Sequence, residues 1–432
     1  GGQLHGLSLA AAMLCCACES RKAEEANISE AYSYEVKPDV DAGALPGKLS
    51  RNSAPAGSAA TASLPLPTPA AQAPAKEPSP SSPSPAPSSP GLPKATAPRI
   101  QLPKLEGKIS PEAYRKCWQQ NASWFAFGSL TSSNEPFKER ELETFGSWNN
   151  PELMGIAFTC RKGQKGTMDT APNQDNFSLI EFKNGWRMAC CMDGHGLFGQ
   201  LVATLAVQNL PYLLAQCDWE VDTLPEALEK AFEAVHSNIV VVSELDGWTV
   251  DTSGCTAAVV LWKDKQAVVA HVGDSRCVIG SESVLLYETA DHKPSVQDEK
   301  ARIEQLGGEV HTEVYPDGWT EHRIFVKDTD KPGLSMSRSI GDAMVKSIGV
   351  VATPEVKFVD LGKAAKPFMV LASDGVWEFM SSDTVVKAAT STLQGRGVKQ
   401  TAEDLYDASL QCWRNAESDY CDDISAVIVD FS

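Results

Sequence analysis

The feature that most constrains the fold is the stretch "TAAVVLWKDKQAVVAHVGDSRCVIG", residues 256–280. It holds two valine-rich apolar runs with only "KDKQ" between them, which predicts a β-hairpin and therefore an antiparallel sheet. Apolar runs elsewhere predict further strands, in "MGIAFTCRKG", "NGWRMACCMDG", "PFMVLAS" and "ISAVIVDF".

Helical patterns separate these strands. Helices are predicted over "GLFGQLVATLAVQNLPYLL", from near Pro294 to Gly307 and Gly308, and over 382–393 and 402–416. Thr223 and Glu226 predict a capping box for a helix whose apolar stripe is Leu228, Phe232, Val235 and Ile239. Strand pairs alternating with long helices indicate an α+β fold, an antiparallel β-sandwich of two sheets flanked by helices. A doubly wound parallel fold is the alternative, and the hairpins count against it.

The N-terminal quarter has a different composition. Twelve of the 27 prolines fall between Pro65 and Pro98, so residues 40–104 are predicted to be a disordered Pro/Ala/Ser-rich linker. Residues 105–151 are predicted to form a helical N-terminal extension, in which Ser110 caps a helix that begins at Pro111. The main domain is predicted over 152–432.

Charge and cysteine content limit the environment and the partners. The formal net charge of −18 argues against a nucleic-acid partner, which requires a basic face. Twelve cysteines without a repeating spacing indicate a reducing, intracellular and cytoplasmic location. Within the N-terminal segment 1–39, acylation of Cys15, Cys16 or Cys18 is a hypothesis that would attach the chain to a membrane. Without a recognisable interface pattern, a monomer is expected.

Acidic residues recur where apolar strands end. "MACCMD", "QAVVAHVGD" and "FMVLASD" end at Asp193, Asp274 and Asp374, and "DYCDDIS" adds Asp422 and Asp423. Each aspartate alone suits an ordinary turn. Together at one sheet edge they would repel one another unless a cation neutralised them, and oxygen ligands select Mg²⁺ or Mn²⁺ over zinc.

A set of motifs in fixed order carries a resemblance. They are "NQDNF" (173–177), "DGHG" (193–196), "SGCTA" (253–257), "HVGDSR" (271–276), "DHKP" (291–294), "RIEQLGG" (302–308), "LSMSRSIGD" (334–342), "TPEV" (353–356), "LASDGVWE" (371–378) and "DDIS" (422–425). Over about 154–432 the sequence resembles the PPM family, the metal-dependent type 2C protein serine/threonine phosphatases. The resemblance implies the PPM-type phosphatase fold, a catalytic domain over 152–432, and phosphoprotein substrates.

The resemblance also implies roles for individual residues. Asp193 would bridge two metal ions, the backbone carbonyl of Gly194 would bind the second, and Asp374 and Asp422 would complete the first. Asp274 and Glu378, together with Asp374, match a weaker third-metal site. Gln174 and Asp175 match a pair that orients water, and His195 matches the general acid. In such a site a hydroxide bridging two metals about 4 Å apart attacks phosphorus, and the acid protonates the leaving oxygen.

Other residues of these motifs are predicted to have structural roles. Gly254 is expected to allow close strand packing, with Ser253 and Thr256 bonding backbone, and Arg276 and Arg338 are expected to form internal ion pairs. Cys190, Cys191 and Cys421 are expected to be buried core residues.

The sequence departs from the family pattern at two places, and one further segment is variable. Extra residues separate Arg161, Lys162 and Lys165 from "NQD", and Lys165 is the choice for the substrate phosphate. Asp423 stands where the family commonly has Asn. The segment between Gly308 and Leu334 is expected to be a flap that shapes substrate choice.

The main alternative to an active phosphatase is a pseudophosphatase, a scaffold without catalytic activity. An adaptor that works through its Pro-rich arm is another alternative. Neither explains why the acidic residues are present.

Overall fold

A computed structural model describes residues 100–130, 134–148, 150–315, 320–417 and 419–432. The helices of this part span Pro111–Asn121 (α1), Gly199–Leu214 (α2), Leu224–Asp246 (α3), Gln297–Gln305 (α4), Ala343–Lys346 (α5), Asp374–Trp377 (α6) and Ser382–Ala416 (α7). The predicted segment 1–39, and residues 40–99 of the predicted linker, lie outside the described residues.

Antiparallel strands make up the rest of the framework. They are Ala122–Gly128 (β1), Leu142–Gly146 (β2), Ile156–Arg161 (β3), Gln164–Lys165 (β4), Asn176–Phe182 (β5), Arg187–Met192 (β6), Gly194–His195 (β7), Gly254–Cys255 (β8), Ala257–Lys263 (β9), Gln266–Val272 (β10), Arg276–Ser281 (β11), Val284–Glu288 (β12), Gly308–Val314 (β13), Thr320–Val326 (β14), Pro332–Leu334 (β15), Ile340–Gly341 (β16), Glu355–Asp360 (β17), Pro367–Ala372 (β18), Tyr420–Cys421 (β19) and Ile424–Asp430 (β20).

Two sheets form the centre of the fold. One has the strand order β17-β10-β9-β6-β5-β1-β2 and the other β12-β11-β18-β20-β3. An apolar core including Phe177, Cys191 and Leu371 fills the space between the sheets. The outer face of the first sheet packs on α2 and α3, and that of the second packs on α7. The predicted α+β sandwich flanked by helices is confirmed, as is the hairpin, in which Asp264 and Lys265 separate β9 from β10.

The prediction of a helical extension at 105–151 is only partly correct. Its helix is present, with the Ser110 side chain accepting from the Ala113 N–H at 3.1 Å. The same segment also supplies β1 and β2, which extend the first sheet at one edge. The aromatic run "WFAFG" in β1 is buried against the core, and this burial favours a strand. The predicted disordered linker, 40–104, extends too far, because Ile100 is buried in the core and Leu102 packs against it.

Two helix predictions need correction. Thr223 precedes α3 but makes no side-chain cap; its hydroxyl accepts instead from the Glu220 N–H at 3.0 Å. The predicted apolar stripe of α3 is nevertheless fully buried. The helices predicted over 382–393 and 402–416 are both present: they lie within α7, which Gly397 interrupts with a non-helical backbone conformation. The helix expected from near Pro294 begins at Gln297.

The segment between Gly308 and Leu334 forms a sheet of its own. Strands β13, β14 and β15 pair antiparallel, and Ile324 and Leu334 pack into a small core with Ile303 of α4. This arrangement agrees with a distinct flap, although its role in substrate choice stays a prediction. None of the helices in the described part of the chain combines the length and apolar character that a membrane span requires.

Candidate active site

The candidate site lies where strands of both central sheets end. Asp193 directly follows β6, Asp175 directly precedes β5, and these two strands pair with Met192 opposite Asn176. In the second sheet, Asp374 follows β18 and Asp422 precedes β20, and these strands pair with Ala372 opposite Ala426. Antiparallel pairing therefore brings acids from distant parts of the sequence to one end of the sandwich.

Asp193 is held by the "SGCTA" motif. The Asp193 N–H donates to the Thr256 hydroxyl at 3.1 Å, and the Thr256 N–H donates to the Asp193 carbonyl at 2.9 Å. At Gly194, a Cβ atom would lie 2.5 Å from the Gly199 carbonyl oxygen and 2.6 Å from that of Gln174. Only glycine fits there, so the main chain of Gly194 lies directly beside these two segments.

Two other predicted ligands, Asp374 and Asp422, lie close to Asp193. The Asp374 and Asp193 carboxyl groups are in hydrogen-bonding contact, and Asp422 and Asp175 are close enough to interact electrostatically with Asp193. Glu378 follows Asp374 by one helical turn, with its N–H donating to the Asp374 carbonyl at 2.8 Å. One carboxylate oxygen of Asp374 is buried without a hydrogen-bond partner.

The electrostatics of this cluster are those of crowded acids. Burial, followed by the charges of Asp374 and Asp175, raises the pKa of Asp193 well above its ordinary value. Burial, followed by the charges of Asp422 and Asp274, raises the pKa of Asp374 in the same way. Two carboxyl groups in hydrogen-bonding contact need a proton or a cation between them. The cluster therefore has the charge distribution of a cation-binding site.

Two lysines partly neutralise the cluster. The Lys165 ammonium lies 2.7 Å from an Asp422 oxygen, and Lys293 pairs with one oxygen of Asp274, whose other oxygen is buried without a partner. Burial opposes the charge of Lys165, but Asp422 and Asp423 outweigh it and raise the pKa of this lysine. Lys165, the predicted phosphate contact, therefore reaches the site.

The predicted pair Gln174 and Asp175 is fixed by neighbouring groups. The Gln174 side-chain amide donates to the Gly196 carbonyl at 2.6 Å, whereas the Asp175 carboxylate accepts from the Ser373 hydroxyl at 2.7 Å. Burial, followed by the charge of Asp423, raises the pKa of Asp175 to about 7. Asp423 accepts from the backbone N–H groups of Gly163 and Gln174, each at 2.7 Å, which ties two site loops to β20.

His195 has a buried partner that the sequence did not indicate. Its Nε2 lies 2.8 Å from Asp342 Oδ2, and its buried Nδ1 has no hydrogen-bond partner. Burial raises the pKa of Asp342, but the charge and hydrogen bond of His195 outweigh it and leave the pKa below its ordinary value. Gly254 makes room for the pair, because a Cβ there would lie 2.2 Å from Asp342 Oδ2.

Sequence reasoning missed Asp342 and Lys293 as site residues. Both belong to quoted motifs, "LSMSRSIGD" and "DHKP", but neither ends a long apolar run: Asp342 follows the two-residue strand β16, and Lys293 lies in a loop. The predicted aspartates were found through that strand-end pattern. The signals that could have found the two missed residues were their places in these ordered motifs.

The predicted structural residues occupy structural positions. Arg276 forms a bidentate ion pair with Asp291, at 3.0 and 2.8 Å, and Arg338 pairs with Glu299 at 2.6 Å. The Ser253 hydroxyl accepts from the Phe198 N–H at 3.1 Å. Cys190, Cys191 and Cys421 are buried free thiols, as expected for core residues.

Comparison with known proteins identifies the family. The family model "Protein phosphatase 2C" matches residues 155–413. The chain therefore belongs to the protein phosphatase 2C family, and this membership implies protein phosphatase activity.

Curated relatives and a solved structure agree. An Arabidopsis thaliana protein, "Probable protein phosphatase 2C 73", is 31% identical over 321 residues, which cover 67% of this chain and 83% of that protein. A rice protein, "Probable protein phosphatase 2C 48", is 29% identical over 323 residues, covering 67% and 88%. The crystal structure of serine-threonine phosphatase 2C from Toxoplasma gondii shares the fold, with a TM-score of 0.52 at 20% identity, covering 78% of this chain and 100% of that one.

Proposed function

We propose that this chain hydrolyses phosphoserine and phosphothreonine in proteins, with the help of two divalent cations of the Mg²⁺ or Mn²⁺ type. The observation that carries the proposal is the convergence of Asp193, Asp374 and Asp422 from separate elements, with the pKa values of Asp193 and Asp374 raised by burial and by neighbouring acids. A protein that served only as a scaffold would gain nothing from such mutual repulsion. The proposal thus takes precedence over a pseudophosphatase.

The residues fit hard cations. The donor set consists of oxygens, a buried Asp374 oxygen has no partner, and no side chain could replace the hydrogen of Gly194. Asp193, the Gly194 carbonyl, Asp374 and Asp422 would hold two ions, and Asp274 and Glu378 would contribute to a weaker third. When bound, such ions would lower the pKa of water at the site and offset charge on the phosphoryl group.

Asp175 is suited to handling the proton of the attacking water. Its pKa of about 7 allows the carboxylate to accept a proton near neutral pH, and the Ser373 hydroxyl fixes its orientation. Gln174 cannot take a proton, so its role is positional. The hydrogen bond that its side-chain amide donates to the Gly196 carbonyl links the segment that carries Asp175 to the one that carries His195.

His195 is suited to protonating the leaving oxygen. Cleavage of the phosphorus–oxygen bond leaves negative charge on the serine or threonine oxygen, which is a poor leaving group until it receives a proton. Asp342 accepts the Nε2 proton of the ring in a hydrogen bond, so in the protonated imidazolium the unpartnered Nδ1 is the nitrogen that can donate, and the ring is left neutral with its Nε2 proton still bonded to Asp342 in this way. The His195 proton passes to the alcohol, while the water oxygen forms the new bond to phosphorus.

Lys165 is our candidate for the substrate phosphate. The other basic residues of its loop have partners, since Arg161 pairs with Glu139 and Glu403 and the buried Lys162 pairs with Asp169. Lys165 pairs with Asp422, a predicted cation ligand. A cation bound by Asp422 would compete for that carboxylate and leave the ammonium group available to a phosphate.

The test is hydrolysis of a phosphoserine peptide with Mn²⁺, with and without EDTA, by the full chain and by the Asp193→Ala and Asp374→Ala variants. We expect metal-dependent phosphate release that each substitution reduces by at least about a hundredfold. Absence of activity, or activity that persists in EDTA, would refute the proposal.

The predicted acylation concerns residues outside the described part of the chain. It is tested by comparing membrane partitioning before and after Cys15, Cys16 and Cys18 are replaced with Ser.

A further inference from the structure

A second cluster of ligand-type side chains lies beside the acidic site. His271 of β10, His292 and Glu355 of β17 each place one ligand atom within 4.8 Å of the others. His271 and Glu355 are direct cross-strand partners, and the two imidazole rings stack with centroids 4.4 Å apart. The cluster thus joins the edge of the larger sheet to the loop that carries "DHKP".

Three of the four ring nitrogens in this cluster have no hydrogen-bond partner, whereas Glu355 pairs with Lys357 at 3.3 Å. His292 is 4% exposed, yet neither of its ring nitrogens has a hydrogen-bond partner. Its Nε2 lies 3.9 Å from a Glu355 oxygen, which is too far for a hydrogen bond. A buried polar group without a partner costs about 1–3 kcal/mol, so two such atoms on one ring require an explanation.

His271 is held in the tautomer that a ligand needs. Its Nε2 lies 2.8 Å from the Ala290 carbonyl oxygen, which can only accept, so this nitrogen carries the proton. The other nitrogen, Nδ1, then has a free lone pair, and it is buried without a partner. A backbone carbonyl that fixes the far nitrogen of a metal-binding histidine is a recurrent arrangement in metal sites.

His292 is neutral and therefore also has a lone pair. Burial, followed by the neighbouring His271 and the charge of Arg338, lowers the pKa of His292 to about 3. Arg338 would oppose a bound cation, but it is paired with Glu299 at 2.6 Å. Glu355 brings a negative charge into the cluster, and its side chain is 36% exposed, which gives an ion a route from solvent.

We propose that His271, His292 and Glu355 form a separate metal site that takes a divalent transition-metal ion of the Zn²⁺ type. Two neutral imidazoles and one carboxylate, with a position left for water, are a known zinc ligand set. Imidazole suits zinc, whereas Mg²⁺ and Mn²⁺ prefer oxygens. The donor sets of the two sites therefore select different ions.

Binding requires one local movement. Zinc lies in the ring plane of each histidine at about 2.0–2.1 Å from nitrogen, so two stacked rings cannot both bind as they stand. The His292 ring is held by no hydrogen bond, and it turns out of the stack to bind. A bound ion ties the "DHKP" loop to the sheet edge, next to the candidate acidic site: the His292 N–H donates to the Gly273 carbonyl at 2.9 Å, and Lys293 pairs with Asp274.

The test titrates Zn²⁺ into the full chain in saturating Mg²⁺, with calorimetry for stoichiometry and affinity, and repeats it with Co²⁺ to record the absorption spectrum. We expect one zinc-selective site, a higher melting temperature, and Co²⁺ bands typical of four-coordinate nitrogen and oxygen ligation. His292→Asn and Glu355→Gln should each weaken binding at least about tenfold. The half-buried Glu355 keeps the test valid if the His292 variant fails to fold.

Two controls separate this site from its surroundings. His311→Asn changes an exposed histidine on β13 and should leave Zn²⁺ affinity unchanged. Asp193→Asn with Asp374→Asn disables the candidate acidic site and should leave the zinc-selective site intact. The proposal is overturned if Zn²⁺ does not bind in Mg²⁺, if binding survives both His292→Asn and Glu355→Gln, or if it disappears with the two aspartates.

Discussion

Replacing Gly254 with alanine tests the His195–Asp342 pair without removing either residue. The new Cβ would lie 2.2 Å from Asp342 Oδ2 and 2.8 Å from His195 Nε2. A carbon and an oxygen in contact need roughly 3.3 Å, so the Asp342 oxygen must move by about 1 Å. Asp342 is buried and accepts from the Ser339 hydroxyl at 2.5 Å, so little space is available for this movement.

The size of the effect follows from that displacement. A movement of about 1 Å lengthens the 2.8 Å contact between His195 and Asp342 beyond hydrogen-bonding range. A hydrogen bond to a charged group contributes about 1.5–3 kcal/mol. If it supports proton donation in the transition state, its loss lowers kcat for a phosphoserine peptide by about 10–150-fold.

The assay compares a phosphoserine peptide with an aryl phosphate, whose leaving oxygen needs no proton. The Gly254→Ala variant should lose activity on the peptide and retain most of it on the aryl phosphate, and Asp342→Asn should behave alike. Gly395→Ala is the matched control, because a Cβ there meets nothing within 4 Å. Equal losses on both substrates, in variants that melt normally, would refute the assignment of His195 as the acid.

Three further changes test other parts of the account. Asp175 keeps its proton up to a pKa of about 7 in the folded state but loses it near 3.8 when unfolded, so metal-free stability should fall as the pH rises between these values. In EDTA, the melting temperature of the Asp175→Asn variant should decrease less with pH than that of the unmodified chain. An equal decrease would contradict the raised pKa of Asp175. Glu299→Gln breaks a buried ion pair with Arg338 and should cost about 3 kcal/mol in denaturant unfolding, and a cost near zero would contradict this. Lys165→Ala should raise KM for a phosphopeptide about tenfold in steady-state assays with little change in kcat, and an unchanged KM would exclude it as the phosphate contact.

The architecture could be predicted because its strands and helices have strong local patterns. The hairpin of β9 and β10, the apolar stripe of α3 and the Ser110 cap are each encoded within a few residues. Strands β1 and β2 were missed because the aromatic run in β1 directly follows a well-capped helix. Thr223 failed as a cap because its hydroxyl had a competing backbone partner at Glu220, which no sequence pattern indicates.

The acidic residues of the site could be predicted for a similar reason. Asp193, Asp274 and Asp374 each end an apolar strand, so one pattern and the ordered motifs found them together. The partner of His195 has no such pattern, since Asp342 lies 147 residues away. Only the pairing of short strands brings the two residues into contact.

Those short strands show why a structural position can control chemistry. Gly254 of β8 pairs with His195 of β7 on one side and with Gly341 of β16 on the other, and Asp342 follows Gly341 directly. Gly254 thus lies on the strand between the one that carries His195 and the one that leads into Asp342. Because it has no side chain, the two residues can come into contact. Substitutions of Gly254 should therefore lower activity as substitutions of His195 or Asp342 do, although Gly254 has no side chain that could contact a substrate.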